Sequence, residues 1–206
     1  MAVERVTDAV PARGGELRRR LVHVSGALVP LPYLLELVPW AAVVWFCVTG
    51  TVLAVLLEAL RLSGRVDWRI FDELTREYEA DNPAGYALYA VGFATVALAL
   101  GPAAAPTPAP IAVPAMLMLA VGDPISGLLG STGAEGVKEG YVLLVMFAVC
   151  LLLALPFVGP VAAVAGAAVA TVADGVKPVV AGYVIDDNVT IPVGGGVAMW
   201  AATVLV

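Results

Sequence analysis

Charge is what this chain has least of. Asp, Glu, Lys and Arg make up 14% of its 206 residues, against about 25% in soluble domains. With 61% apolar residues and a mean hydropathy of +0.94, that shortage excludes a water-soluble globular fold and points to a membrane protein. Lysine is scarcer still: Lys138 and Lys177 are two of only eleven basic residues, and the net charge is −6. No nucleic-acid partner is expected from so acidic a balance. Cys47 and Cys150 both lie in apolar runs, so they read as small buried hydrophobes and exclude a disulfide framework or thiolate metal site. With His23 the only histidine, no Ser/His/Asp or Cys/His constellation offers a covalent nucleophile. No GxxxxGK[ST] loop and no GxGxxG after a strand is present; Gly194-Gly195-Gly196 suits helix packing better than a phosphate loop. The first twenty residues, with Glu4, Arg5, Asp8, Arg13, Glu16 and Arg18 to Arg20, lack the short apolar core of a cleavable signal.

What the chain does have is apolar runs, at about residues 21–38, 40–57, 84–100, 110–121, 141–158, 160–173 and 190–206. Several reach the lower limit for crossing a hydrocarbon core of about 30 Å. They predict an all-α polytopic protein of about seven transmembrane helices, residues 1–20 forming a cytoplasmic tail and 21–206 one transmembrane helical domain. The fourth and sixth runs are short and each ends at a carboxylate, Asp123 and Asp174. Short spans ending at polar groups mark a site lined by irregular backbone. With the tail inside, every Lys and Arg falls on the cytoplasmic side, and of seventeen acids only Glu36 falls outside. That is the positive-inside pattern of a multi-pass cell-membrane protein with its site cytoplasmic and its C-terminus outside. Between the second and third runs, Val66, Ile70, Leu74 and Tyr78 recur at helical spacing in residues 65–81, which fits an amphipathic surface helix or, equally, a solvated connector.

Gly122-Asp123-Pro124-Ile125-Ser126-Gly127 is the focus of this arrangement. An ionisable group in hydrocarbon costs roughly 2.5–3.5 kcal/mol on insertion scales, so it is kept inside the bundle with a partner. Gly122 and Pro124 are expected to break helical continuity around it. Asp186-Asp187-Asn188, just ahead of the last run, is a second polar cluster.

Several motifs, in order, resemble the dolichol kinase, phytol kinase and CTP-dependent diacylglycerol kinase family, relatives of the CDP-lipid synthases. Arg19-Arg20-Leu21-Val22-His23 is similar to that family's R-K-x-x-H, with Arg20 in the lysine position. Glu58-Ala59-Leu60-Arg61 and Arg76-Glu77-Tyr78-Glu79 follow. Gly122-Asp123-Pro124-Ile125-Ser126 with Gly130 resembles G-D-x-x-(A/S) and its later glycine. Ala170-Thr171-Val172-Ala173-Asp174 resembles A-T-x-x-E with Asp for Glu, and Asp187-Asn188-Val189-Thr190-Ile191-Pro192 resembles D-N-L-T-I-P. The resemblance runs from Arg19 to about Val193. It departs after Gly130, where Gly136-Val137-Lys138-Glu139-Gly140 is short and lacks the Ser of the family's K-S-x-E-G segment.

Phosphoryl transfer needs carboxylates for a divalent cation, cationic groups on the phosphates and a positioned hydroxyl. Mg²⁺ takes one or two carboxylates plus phosphate oxygens and waters. Asp123 and Asp187 are the natural metal pair, with Asn188 beside them. Lys138, Arg19 and Arg76 can hold phosphates, and Gly122 and Ser126 belong to the same nucleotide-binding set. The substrate proton can go to His23, Asp123 or Asp187. Asp174 closes an Ala/Gly-rich run and reads as functional. Glu58 with Arg61, and Glu79 with Arg76, have the i,i+3 spacing of helical ion pairs. The resemblance implies transfer of the γ-phosphoryl group of CTP to an isoprenoid alcohol of the dolichol or polyprenol type, in the bilayer, with Mg²⁺. One rival is a CDP-lipid synthase, whose K-D and H-G-G-x-x-D-R elements are absent; another is a transporter or non-catalytic scaffold.

This topology predicts that single cysteines at Ser63 and Ser131, in a background lacking Cys47 and Cys150, label only from the cytoplasmic side, and one at Thr107 only from outside. Labelling of position 131 from outside would separate Lys138 from Arg19 and refute the shared site.

Overall fold

A computed structural model describes residues 20–75, 79–102, 111–130, 138–176, 179–180 and 183–205. Its described part is helical apart from one small hairpin, Val179–Val180 paired antiparallel with Tyr183–Val184. In chain order the helices are α1 (residues 20–25), α2 (Leu31–Leu34), α3 (Trp40–Leu62), α4 (Arg69–Leu74), α5 (Gly85–Ala99), α6 (Ala112–Leu129), α7 (Gly140–Ala154), α8 (Pro160–Gly175) and α9 (Asp187–Leu205).

By length and composition, α3, α6 and α9 are long and apolar enough to cross a membrane. The other apolar helices, α5, α7 and α8, have 15, 15 and 16 residues; at 1.5 Å per residue each covers only about 22–24 Å. The first apolar run is not one helix. After α1 it passes through a 3₁₀ turn, Gly26–Leu28, and the four-residue α2. The interruption has local causes. Tyr89 Oη donates to the His23 carbonyl at 3.0 Å and lies so close to Gly26 that any Cβ there would collide with it. Pro30 and Pro32 then remove amides from the ladder. The run closes with Glu36 in the left-handed region at φ 57°, its amide bonded to Tyr33 O and that of Leu37 to Pro32 O.

Helix α3 ends more conventionally. Gly64 adopts φ 67°, its amide bonds Arg61 O and that of Arg65 bonds Leu60 O, the Schellman pattern that favours glycine. Of the surface helix expected over residues 65–81, the described residues form α4, six residues long, with Thr75 already extended. Its anchor is Phe71, 7% exposed and stacked near Trp68 and Tyr86, whereas Ile70 stays exposed. Aromatic packing, not the Val66–Ile70–Leu74 spacing, therefore seats this segment; Tyr78 lies outside the described residues.

Helix α6 is the central element. Ile111 ahead of it, then Ala112, Val113, Ala115, Met116, Met118, Leu119 and Ala120, are fully buried, as befits a helix apolar all round. It packs on α9, α7 and α5. Contrary to the expected break, it runs on through Gly122-Asp123-Pro124 to Leu129, winding as a π turn over Met118–Gly122. Pro124 cannot donate to the carbonyl one normal turn back, and a wider turn just ahead of it shifts that ladder. Around this core, α9 packs most extensively on α8, and α3 on α5. Trp45, Phe46, Leu53 and Leu56 of α3, Leu144 and Leu152 of α7, and Val164 and Val172 of α8 face outward, an apolar belt far beyond scattered surface hydrophobes.

Candidate active site

Two helix ends and the second half of α6 meet at one point. Asp123 follows the π turn of α6, Asp174 lies in the last turn of α8, and Asp187 opens α9. Each contributes a carboxylate oxygen to a group in which all lie within 4.8 Å of one another; Asp174 and Asp187 are buried and Asp123 is partly exposed.

The start of α9 explains its acid-rich sequence. Asp186 is the cap: its Oδ1 accepts the Asn188 amide at 2.9 Å and the Asn188 side-chain amide at 2.6 Å. Asp187 then falls in the first turn, where the helix dipole favours negative charge. Four residues on from Asn188, Pro192 supplies no amide to the Asn188 carbonyl, and that carbonyl rests against Gly92 of α5, where a Cβ would collide with it.

Asp174 is held from two sides. Lys138 Nζ donates to its Oδ1 at 2.6 Å, Ser126 Oγ donates to its Oδ2 at 2.6 Å, and Lys138 also donates to Ser126 Oγ at 3.0 Å. On the Asp123 side, His23 Nε2 stands 3.6 Å from Oδ2, and the imidazole meets the Tyr89 ring edge-on at 4.6 Å. Arg20, one turn before His23, donates to the carbonyls of Pro124 at 3.0 Å and Gly127 at 2.7 Å. That guanidinium caps the C-terminal turn of α6, where the dipole favours a cation, and docks α1 so that His23 reaches Asp123.

Of the residues singled out from sequence, Asp123, Asp174, Asp187, His23, Lys138 and Ser126 are brought together. Asn188 is adjacent, with its amide engaged by Asp186. Gly122 sits inside the helix, where a Cβ would press on Met146 and Cys150 at 3.0–3.2 Å; tight packing accounts for this glycine. Arg19 and Arg76 lie outside the described residues. Glu58 belongs to a neighbouring cluster. It accepts two bonds from Arg61, at 3.0 and 2.7 Å, plus the Tyr86 hydroxyl at 2.6 Å and the Ala84 amide at 2.7 Å. Arg61 also donates to the carbonyls of Glu79, Ala80 and Asn82. Glu79 Oε1 accepts the Gly85 amide at 3.3 Å, and Gly85 abuts the Asn188 side chain. The Glu58–Arg61 pair thus fixes the strap that lies behind Asn188.

Tyr89 is the addition that sequence reading missed; Arg20 and Asp186 stood within the motifs but without an assigned role. Asp186 carried a usable signal, an Asp directly before an apolar helical run. The partners of Arg20 and Tyr89 could not be read from sequence, because they lie on distant helices.

The donor set suits a hard cation. Carboxylate oxygens are the ligands of Mg²⁺ and its relatives, and two oxygens on one Mg²⁺ stand about 3–4.2 Å apart. Small rotations of side chains within 4.8 Å reach that spacing. Two unit charges at such a distance repel by roughly 3–4 kcal/mol at an effective dielectric near 20, a penalty that a cation among the acids removes. Comparison with known proteins finds no match to this chain among family models, curated proteins or solved structures, so its chemistry is argued from these residues and motifs.

The Glu58 clamp is testable on stability alone. Arg61→Met leaves a carboxylate that is 5% exposed without its cation, a change worth about 3 kcal/mol or more. Thermal unfolding in detergent should start well below wild type, and Glu58→Gln combined with Arg61→Met should recover much of the loss. An unchanged midpoint in Arg61→Met would show that the pair holds nothing.

Proposed function

We propose that this chain is a membrane-bound lipid kinase that transfers the γ-phosphoryl group of CTP to an isoprenoid alcohol of the dolichol or polyprenol type. The observation that carries this reading is the convergence of Asp123, Asp174 and Asp187 from three helices on one point beside Lys138, among helices whose outer faces are apolar. CTP as donor, and the alcohol as acceptor, rest on the motif resemblance running from Arg19 to Val193.

In this reading α5, α7 and α8 cross the bilayer with α3, α6 and α9, the broken first run supplies a seventh pass, and the site lies on the cytoplasmic side. Asp123 and Asp187 hold Mg²⁺, which when bound neutralises charge on the nucleotide's phosphates. Lys138 faces the transferred phosphate as a point charge, joined by Arg19 and Arg76. The alcohol enters from the bilayer and its oxygen attacks the γ-phosphorus in line. The bond from that phosphorus to the β,γ-bridging oxygen breaks and CDP leaves. His23, 3.6 Å from Asp123, is placed to take the hydroxyl proton, with the carboxylate stabilising the imidazolium formed. Positioning and electrostatics supply the catalysis, since the protein contributes no covalent step.

The test asks which phosphorus moves. Purified protein is supplied with Mg²⁺, a polyprenol, and CTP labelled at the α- or γ-position. The kinase places γ-label in the lipid and releases CDP. A CDP-lipid synthase instead requires a lipid phosphate, places α-label in the lipid and releases pyrophosphate. Asp123→Asn and Asp187→Asn should each lower γ-transfer more than tenfold, a loss above ~1.4 kcal/mol of transition-state stabilisation, while thermal stability holds. Label entering only from the α-position makes the chain a synthase, and no transfer to any acceptor favours a transporter or scaffold.

A further inference from the structure

The three clustered acids are not in equivalent surroundings. Asp174 has no exposed side-chain surface, and each of its oxygens already accepts a 2.6 Å bond, from Lys138 and from Ser126. Lys138, on the short stretch leading into α7, keeps 22% of its side chain exposed. The acid is therefore the inner end of the pair and the ammonium the outer end. Ser126 closes the figure. Its hydroxyl donates to Asp174 and accepts from Lys138, so all three groups fix one another. Ser126 also lies one turn beyond Asp123 on α6, and the ring ties Lys138 to the helix that carries Asp123.

A lysine is otherwise a flexible point charge on a four-carbon stem. Held this way, its ammonium is pre-aimed before any ligand arrives, which is how fixed charges serve catalysis. Among the described residues the ammonium donates two hydrogen bonds, leaving one of its three N–H groups for a ligand. A dication bonded to Asp174 would instead sit directly beside the Lys138 charge and would have to share oxygens already engaged.

We infer that Asp174 is a positioning residue that anchors Lys138 through a Lys138–Ser126–Asp174 ring, and that only Asp123 and Asp187 of the three acids hold the cation. The assignment of Lys138 to phosphate rests on the kinase reading; the anchor itself does not.

The experiment uses the full chain in detergent with Mn²⁺ as the probe, titrated by electron paramagnetic resonance without nucleotide. Asp187→Asn should weaken Mn²⁺ binding more than about tenfold, or 1.4 kcal/mol, whereas Asp174→Asn combined with Lys138→Met, which removes both charges of the pair together, should leave it close to wild type. The second readout is the reactivity of Lys138 toward an amine-acylating reagent, followed by mass spectrometry. With only two lysines in the chain, Lys177 serves as internal reference. Asp174→Asn should raise acylation of Lys138 several-fold relative to that reference. Ser126→Ala, which opens the ring but keeps the ion pair, should raise it less, and gives the same readout if Asp174→Asn does not fold. In the γ-transfer assay, Asp174→Asn combined with Lys138→Met should be no slower than Lys138→Met alone, because the two act as a unit. Weakening of Mn²⁺ by Asp174→Asn combined with Lys138→Met to the extent seen with Asp187→Asn would make Asp174 a ligand and overturn the inference. Unchanged Lys138 reactivity in both ring variants would overturn it as well. Absence of γ-transfer in the wild type would sink the kinase reading alone, since the Mn²⁺ and acylation readouts need no turnover.

Discussion

A carboxylate shut away from water must have its charge answered from within the protein. Asp174 is such a group, and the answer comes from Lys138 and Ser126. Much else depends on that single solution. It joins the end of α8 to the last part of α6 and to the entry of α7, while α9 packs along α8. Were the charge unanswered, the acid would have to be neutral or exposed, and the helix ends around it could not meet.

The second support is mechanical. Helix α9 packs against both α8 and α5, and each seam has a glycine where an added Cβ would collide with the facing helix. Gly166 of α8 faces the Gly195 carbonyl and Met199, and Gly92 of α5 faces the Asn188 carbonyl. Small residues let helix backbones approach where lipid offers no hydrophobic drive to squeeze them together. The start of α9, with Asp187, is thereby held on both flanks. The Glu58–Arg61 pair does the equivalent task for the strap of residues 79–84, using one guanidinium to gather three carbonyls.

Apolar runs gave the approximate place of six of the helices, and the two polar clusters gave Asp123 and Asp187, because both signals are local. What was not legible is where non-local contacts decide. The run at 21–38 reads as a span, yet Tyr89 from α5 takes the His23 carbonyl and crowds Gly26, so the segment breaks. Gly122 and Pro124 read as breakers, yet buried packing on α7 and a wider turn keep α6 whole. The i,i+3 spacing of Glu58 and Arg61 was visible; the three carbonyls that Arg61 collects were not. Asp174 stood out as an acid ending an Ala/Gly helix, but nothing in its neighbours announced a lysine 36 positions upstream as its partner.

The π turn in α6 has an angular consequence. One added residue of winding turns everything beyond it by about 100° relative to an uninterrupted α-helix, so the two halves of α6 are out of phase. The first half, buried around its whole circumference, is indifferent to such rotation: any of its faces meets apolar neighbours. The second half is not, because Asp123 and Ser126 stand i,i+3 on one side of it and must look toward α8 and α9. The phase offset lets one continuous rod obey two orientations, the first set by filling space and the second by where charge must point.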